Sequence, residues 1–296
     1  MTVGESVGVE RPPRTFSERL TRIVTKSPIH IALALVGLIW LLPTIGLLIT
    51  SFRPPSEILS TGWWEIFGGR FNFTLDNYAD VLGAQGMLQA FINSISITVP
   101  ATIFPVLLAA LAAFGFAWID FPFRDTLFLV VVGLLLVPLQ MTLIPLVELF
   151  AQLGIFGTFI GLWIAHTAFA LPFGIFLLRN FFITLPRDLI EAARIDGAGN
   201  IKIFRMIVLP LSVPALASFA IFQFLWTWND LLMALVFAPR PGGLPMTTQV
   251  SSLLGTFGTE WHLLAAASFL IMAVPLIVFF SLQRYFVQGL LAGSVK

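Results

Sequence analysis

A chain of 296 residues that is 58% hydrophobic and only 10% charged, with a mean hydropathy of +0.96, lies outside the range of water-soluble domains. Its formal net charge of +1 gives no global field for nucleic acid, so the placement of charges matters more than their sum. The absence of cysteine excludes disulfides, thiolate metal sites and a cysteine nucleophile, and leaves the redox compartment open.

Residues 1–28 carry Arg11, Arg14, Arg19, Arg22 and Lys26 beside Pro12 and Pro13, and read as a polar tail approaching the membrane. The first apolar run, about 29–50 with Pro43 inside it, is long enough to stay as a span rather than be cleaved as a signal. Residues 51–86 are more polar, contain Trp63, Trp64 and Tyr78, and predict short interfacial helices. The second span, about 87–119, is overlong, with Pro100 and Pro105 as kink candidates. A tight turn leads to a third span at about 126–150, interrupted by Pro138 and Pro145, and then to a fourth at about 159–178. A polar stretch occupies 179–210. It is followed by a fifth span at about 211–238, a sixth at about 263–282 and a tail at 283–296. Each run holds the ~20 residues needed to cross ~30 Å of hydrocarbon. The expected fold class is an all-α integral membrane protein with six transmembrane helices forming one domain over 29–296.

Positive charge sets the orientation. Thirteen of the sixteen Lys and Arg fall in the tail, at Arg124, in the central stretch (Arg179, Arg187, Arg194, Lys202, Arg205) and at Arg284 and Lys296. Only Arg53, Arg70 and Arg240 lie on the other side. Cytoplasmic loops retain positive charge, so both termini and the central stretch are expected inside.

The central stretch is too patterned for a mere connection. Thr184 can cap a short helix, Pro186 suits its first turn and Asp188 lies near the positive end of its dipole. At 100° per residue, Leu189, Ala192 and Ala193 share one side, and Glu191 and Arg194 another. Gly197 and Gly199 then break the helix, since glycine enters left-handed conformations without a Cβ clash. A second run carries Ile201, Phe204, Ile207 and Val208 opposite Lys202 and Arg205, with Pro210 closing it.

Glu191-Ala192-Ala193, three residues, Gly197, nine residues, Ile207, one residue and Leu209-Pro210 match the EAA loop at every fixed position. That loop belongs to permease subunits of bacterial ATP-binding-cassette (ABC) importers. FTLDNYADVL at 73–82, WND at 228–230 and QRYFVQGLLAGSVK at 283–296 extend the resemblance to sugar-importer permeases of the maltose and glycerol-phosphate type, in particular their second permease subunit. The resemblance implies a multi-pass protein of the bacterial inner membrane that forms half of a sugar path, paired with a related but distinct permease. It also implies two ATPase subunits inside, which use ATP and Mg, and a solute-binding protein outside. This chain is expected to bind no cofactor, metal or nucleic acid. The coupling residues implied are Glu191, Ala192, Ala193, Arg194, Asp196, Gly197, Ile207, Leu209 and Pro210. Glu191 would meet a basic group of the ATPase, the alanines would fit its cleft, and Leu209-Pro210 would pass motion to the fifth span. The C-terminal tail is a further candidate contact.

Polar residues inside the spans are the remaining signal. Asp230 falls well inside the fifth span, toward its outer end. A charge there needs water or a partner, since exposure to lipid costs a few kcal/mol or more. With Asn93, Gln140, Gln223, Trp228 and Asn229 it forms a candidate sugar path, amides and carboxylates reading hydroxyls and aromatic faces stacking on rings. The competing reading makes Trp226 and Trp228 interfacial anchors and Asp230 a helix contact. His30, His166 and His262 have no partner at ligand spacing and read as packing residues. Residues 251–262 are open to two readings, a plain outer loop or a glycine-permitted contact with a binding protein. Two rival classes, an ion-coupled secondary transporter and a membrane-embedded enzyme, would need buried ionisable pairs or a nucleophile or metal constellation.

Overall fold

Every regular element among the described residues of the computed structural model, which are 16–69, 72–83, 86–256 and 260–292, is helical. The start of the polar tail, Arg70, residues 257–259 and the last four residues lie outside this set. In chain order the helices are α1 (Phe16–Ser51), α2 (Pro55–Ile58), α3 (Asp76–Gly83), α4 (Met87–Trp118), α5 (Arg124–Gly133), α6 (Leu139–Gln152) and α7 (Phe159–Phe182). They continue as α8 (Arg187–Ile195), α9 (Asn200–Ile203), α10 (Leu209–Leu211), α11 (Val213–Trp228), α12 (Leu232–Phe237), α13 (Met246–Thr256) and α14 (Trp261–Ala292).

Four helices are long and apolar enough to cross a membrane: 28–51 of α1, α4, α7 and 261–284 of α14. The third run breaks at one of the two prolines expected to interrupt it, and the fifth departs from the expected continuous span. The third breaks at Val137-Pro138, where α5 with its 3-10 extension meets α6 at 101°. Pro138 brings no amide, and the residue before a proline is held out of the helical region; Val137 is extended, with ψ 115°. In the fifth run, α11 spans only Val213–Trp228, about 24 Å at 1.5 Å per residue, and the chain restarts as α12 after Asn229–Leu231. A 76° bend also separates residues 200–211 from α11.

Burial sorts the spans. α1 turns Leu33, Ile39 and Trp40 outward along its length, as a lipid-facing helix does. α4 and α7 form the centre, and small residues let them approach: Ala101, Ala109, Ala113, Ala165 and Ala170 are buried. A methyl on Gly174 would stand 2.3 Å from Phe219 Cζ and 2.9 Å from Ala109 Cβ, so α4, α7 and α11 meet where only hydrogen fits.

Three of the prolines inside these helices follow one rule. A helical proline leaves the carbonyl four residues earlier without its usual donor, and in hydrocarbon that carbonyl must find another. Pro100 strands Ser96, whose oxygen accepts from Trp163 Nε1 of α7 at 3.0 Å. Pro105 strands Ala101, which accepts from Gln223 Nε2 of α11 at 3.0 Å. Pro275 strands Ile271, which accepts from Trp228 Nε1 at 3.0 Å. Each of these gaps is thus closed by a side chain from a neighbouring helix. The same residues that weaken α4 and α14 locally define where α7 and α11 attach.

Between α1 and α4 the expected short helices are present as α2, α3 and a 3-10 turn at Trp63–Gly68. Arg53 is buried and donates to the carbonyls of Thr61 and Glu57 and to the Thr61 hydroxyl. Asn77 donates to the carbonyls of Ser51 and Arg53, both at 2.9 Å, and Tyr78 shares a hydrogen bond with Ser51.

Candidate functional site

Two constellations gather the residues singled out by sequence: an elbow at 184–212 and the break at 229–231.

The elbow begins where α7 ends. Thr184 does not cap α8; its hydroxyl donates to the Phe181 carbonyl at 2.7 Å and closes α7 instead. Pro186 takes the N-cap position of α8 with no side-chain cap, and Asp188 sits in the first turn. Of the three residues expected on one side of α8, Ala193 alone turns toward the core. Ile190 is fully buried and Ala193 packs beside it on a cluster with Phe114, Phe182, Ile203 and Phe204, whereas Leu189 and Ala192 face outward. Arg194 is exposed yet reaches back to α4, Nη2 donating to the Trp118 carbonyl at 2.8 Å. Glu191, Ala192 and Asp196 are exposed.

α8 stops in a Schellman motif. The amide of Ala198 bonds the Ala193 carbonyl at 2.9 Å, that of Gly197 bonds the Arg194 carbonyl at 3.0 Å, and Gly197 has φ +78°. The left-handed residue is Gly197 alone. Gly199 has φ −70° and serves as N-cap of α9, so one glycine makes the turn and the other starts the next helix. The following run is not a plain helix: Phe204–Val208 is a π-helix, leading through α10, which contains Pro210, to Ser212. Ile203, Phe204 and Val208 are buried, Phe204 lying 5.2 Å from Phe114 ring to ring, while Ile207 and Leu209 pack half-buried on the same cluster. The outward side carries Leu189, Ile195, Ile201 and Met206 among Arg187, Asp188, Glu191, Lys202 and Arg205. Ile195 is 87% exposed. Large apolar residues held outward on an otherwise charged elbow form a surface suited to a protein partner.

At the break, Asp230 takes up a structural duty. Its carboxylate accepts from the Met233 amide at 3.3 Å and the Ala234 amide at 3.1 Å, capping α12, and its own carbonyl accepts from Thr247 of α13 at 2.8 Å. His166 Nε2 lies 3.8 Å from the same carboxylate, a pairing across α7 that the spacing of the histidines did not reveal. Ser94, Thr98, Thr227 and this pair line a cavity of about 10 Å³, room for one water and not for a sugar ring.

The other polar candidates separate into two groups. Asn93 is buried, donates to the carbonyls of Gly242 and Leu244 at 2.7 and 3.0 Å, and accepts from Gln89 at 3.1 Å. Gln223 and Trp228 are buried and close proline gaps, Trp228 also stacking on Phe224 at 5.7 Å. Asn229 and Gln140 are exposed, Asn229 donating to the Leu225 carbonyl at 2.8 Å. Residues 251–256, expected in a loop, complete helix α13, and Trp261 and His262 begin α14.

A family model described as "Binding-protein-dependent transport system inner membrane component" matches residues 106–291, which contain both constellations. The chain is 55% identical over 284 residues to the osmoprotective compounds uptake permease protein GgtD of Synechocystis sp., with 95% of each chain covered. It is 56% identical over 230 residues to the alpha-glucoside transport system permease protein AglG of Rhizobium meliloti, covering 76% of this chain and 60% of that one. A chain in the crystal structure of a bacterial ABC transporter involved in the import of the acidic polysaccharide alginate has the same fold. It aligns with a TM-score of 0.74 over 93% of this chain and 100% of that chain, at 21% identity.

Proposed function

Because the chain belongs to the family of binding-protein-dependent transport system inner membrane components, we propose that it forms half of the membrane path of an ATP-driven importer for a sugar or glycoside. Six spans enclose that half, counting each bent pair as one, with both termini and the elbow in the cytoplasm as the charge distribution requires. A second, related permease completes the path, two ATPase subunits supply ATP hydrolysis with Mg from the cytoplasmic side, and a solute-binding protein delivers substrate outside.

The elbow carries this reading. Its inner face is keyed into the α4–α7–α11 core while Glu191, Ala192, Ile195, Ile201 and Met206 are held outward for an ATPase. Gly197, at φ +78°, fixes the angle between α8 and α9. Closure of the ATPase pair displaces the elbow as one body, and the displacement reverses the side to which the path opens. Asn229 and Gln140 are the candidates to meet substrate along that path, being exposed where Asn93, Gln223 and Trp228 are occupied internally.

Gly197→Val tests the reading in proteoliposomes containing the whole complex. A β-branched residue at positive φ costs about 1–3 kcal/mol, so the turn opens and the two short helices lose their fixed angle. The complex should assemble and hydrolyse ATP, with binding-protein-dependent uptake lost. Uptake at the wild-type rate would refute the lever. Uptake by the unaltered chain without any ATPase would refute the importer assignment itself.

A further inference from the structure

We propose that Arg194 is a positioning residue that couples α8 directly to α4, giving the elbow a second transmission route beside the one into α11; this rests on the importer reading above. Arg194 occupies the last turn of α8, and its Nη2 donates to the carbonyl of Trp118, the last residue of α4, at 2.8 Å. That carbonyl has no donor within its helix, because α4 ends at Trp118 and the residue four positions on, Pro122, lies beyond it and carries no amide hydrogen. The contact resembles those at Pro100, Pro105 and Pro275 in giving an orphan helix carbonyl a side-chain donor from another element, here a charged one at the negative end of the α4 dipole. The face of α8 beside it is packed: Ile190 is buried, and Ala193, Trp118 and Ile119 belong to one cluster.

The two routes out of the elbow differ mechanically. Toward α4, a displacement of α8 passes through a packed face and a charge-assisted hydrogen bond. α4 carries α7 with it, since the two share the buried alanines and the Gly174 contact. Toward α11, it must cross the π-helix Phe204–Val208, then α10, then the 76° bend at Ser212. A guanidinium fixed on a helix end transmits translation, whereas a bend beside an irregular turn absorbs part of it. α4 and α7 are thus the elements that α8 moves first.

The test uses the complete complex in proteoliposomes and reads uptake per ATP hydrolysed alongside ATPase co-purification. Arg194→Ala should keep assembly and hydrolysis while uptake per ATP falls about fivefold or more, the range of a coupling lost between two sites. Arg194→Lys, which can still donate to the Trp118 carbonyl, should recover most of the loss. The chain has no cysteine, so spin labels at Arg187→Cys on α8 and Leu111→Cys, an outward-facing residue of α4, can report the α8–α4 distance directly. The distance distribution should be narrow while Arg194 is present and broad once the Arg194→Ala change is added. Unchanged uptake per ATP in Arg194→Ala overturns the proposal. So does loss of ATPase binding with an unchanged label distance, which would make Arg194 a docking contact. If the unaltered complex hydrolyses ATP and imports nothing, the importer reading fails, and the label distances still decide the link between α8 and α4.

Discussion

The elbow at 184–212 and the break at 229–231 both interrupt apolar chain with polar residues, yet their polar atoms do opposite work. In the elbow, Ile190, Ile203, Phe204 and Val208 turn in and the charged side chains turn out, with Leu189, Ile195, Ile201 and Met206 left exposed among them, so helical periodicity shapes its two faces. Around the break, Asp230, Trp228 and Gln223 turn inward and each meets a backbone group of a neighbouring segment. Asp230 takes the amides of Met233 and Ala234, Trp228 supplies Ile271, and Gln223 supplies Ala101. Where water is absent, a buried polar side chain answers first to the backbone around it, and only what remains exposed is available to a solute.

Asp230 gives the largest test of that contrast. Asp230→Leu removes the cap of α12 and leaves His166 facing an apolar side chain; the stability of the purified complex should fall by about 2 kcal/mol. Asp230→Asn keeps an acceptor for the two amides and should recover about half of that loss. The ratio of uptake between two competing sugars should stay the same in both variants. A changed ratio with an unchanged melting temperature would return Asp230 to the solute path.

A smaller effect carries a sharper signature. Gln223→Leu strands the Ala101 carbonyl and should cost about 1 kcal/mol, but only while Pro105 withholds the amide that would otherwise serve it. In a Pro105→Ala background the helix can supply its own donor, so the same substitution should become nearly neutral. Trp228→Phe with Pro275→Ala forms a second cycle, the ring contact with Phe224 being kept throughout. Denaturation of the four proteins in each cycle measures the coupling. Strict additivity would mean that these side chains are not there for the prolines.

These pairs also explain what was legible in the sequence. Apolar runs could be located from hydropathy because lipid demands long apolar helices, and four of the six expected runs are single membrane-length helices while two are bent pairs. The elbow could be placed because glycine, alanine and charge recur at fixed spacing, and Gly197 turns out to hold the conformation only glycine takes easily. Faces were harder: Ile190 is buried and Ala193 packs beside it while Leu189 and Ala192 turn outward, so residues grouped on one side divide between core and surface, and the helix period does not reveal which neighbour lies where. The break at Val137-Pro138 falls at a proline already visible as an interruption, whereas the end of α11 before Asn229–Leu231 lies inside a stretch long enough for one span. The prolines at 100, 105 and 275 were visible, but their donors lie on other helices, as many as 122 residues away for Gln223 and Ala101. The pairing of His166 with Asp230 is of the same long-range kind.

Ile195 is the converse case, and its effect on the fold should be the smallest. At 87% exposure it contributes almost nothing to packing within the chain, so Ile195→Ser should leave the stability of the permease within about 0.5 kcal/mol. If the outward face of the elbow is where an ATPase sits, the same substitution removes an apolar side chain from that contact. The loss of about 1–2 kcal/mol in burial corresponds to roughly tenfold weaker capture of the ATPase. Titrating ATPase onto detergent-solubilised permease, beside a melting curve of the permease alone, reads both quantities on one preparation. A substitution that melts the chain and spares the affinity would place Ile195 with the buried set and erase the distinction between the two regions.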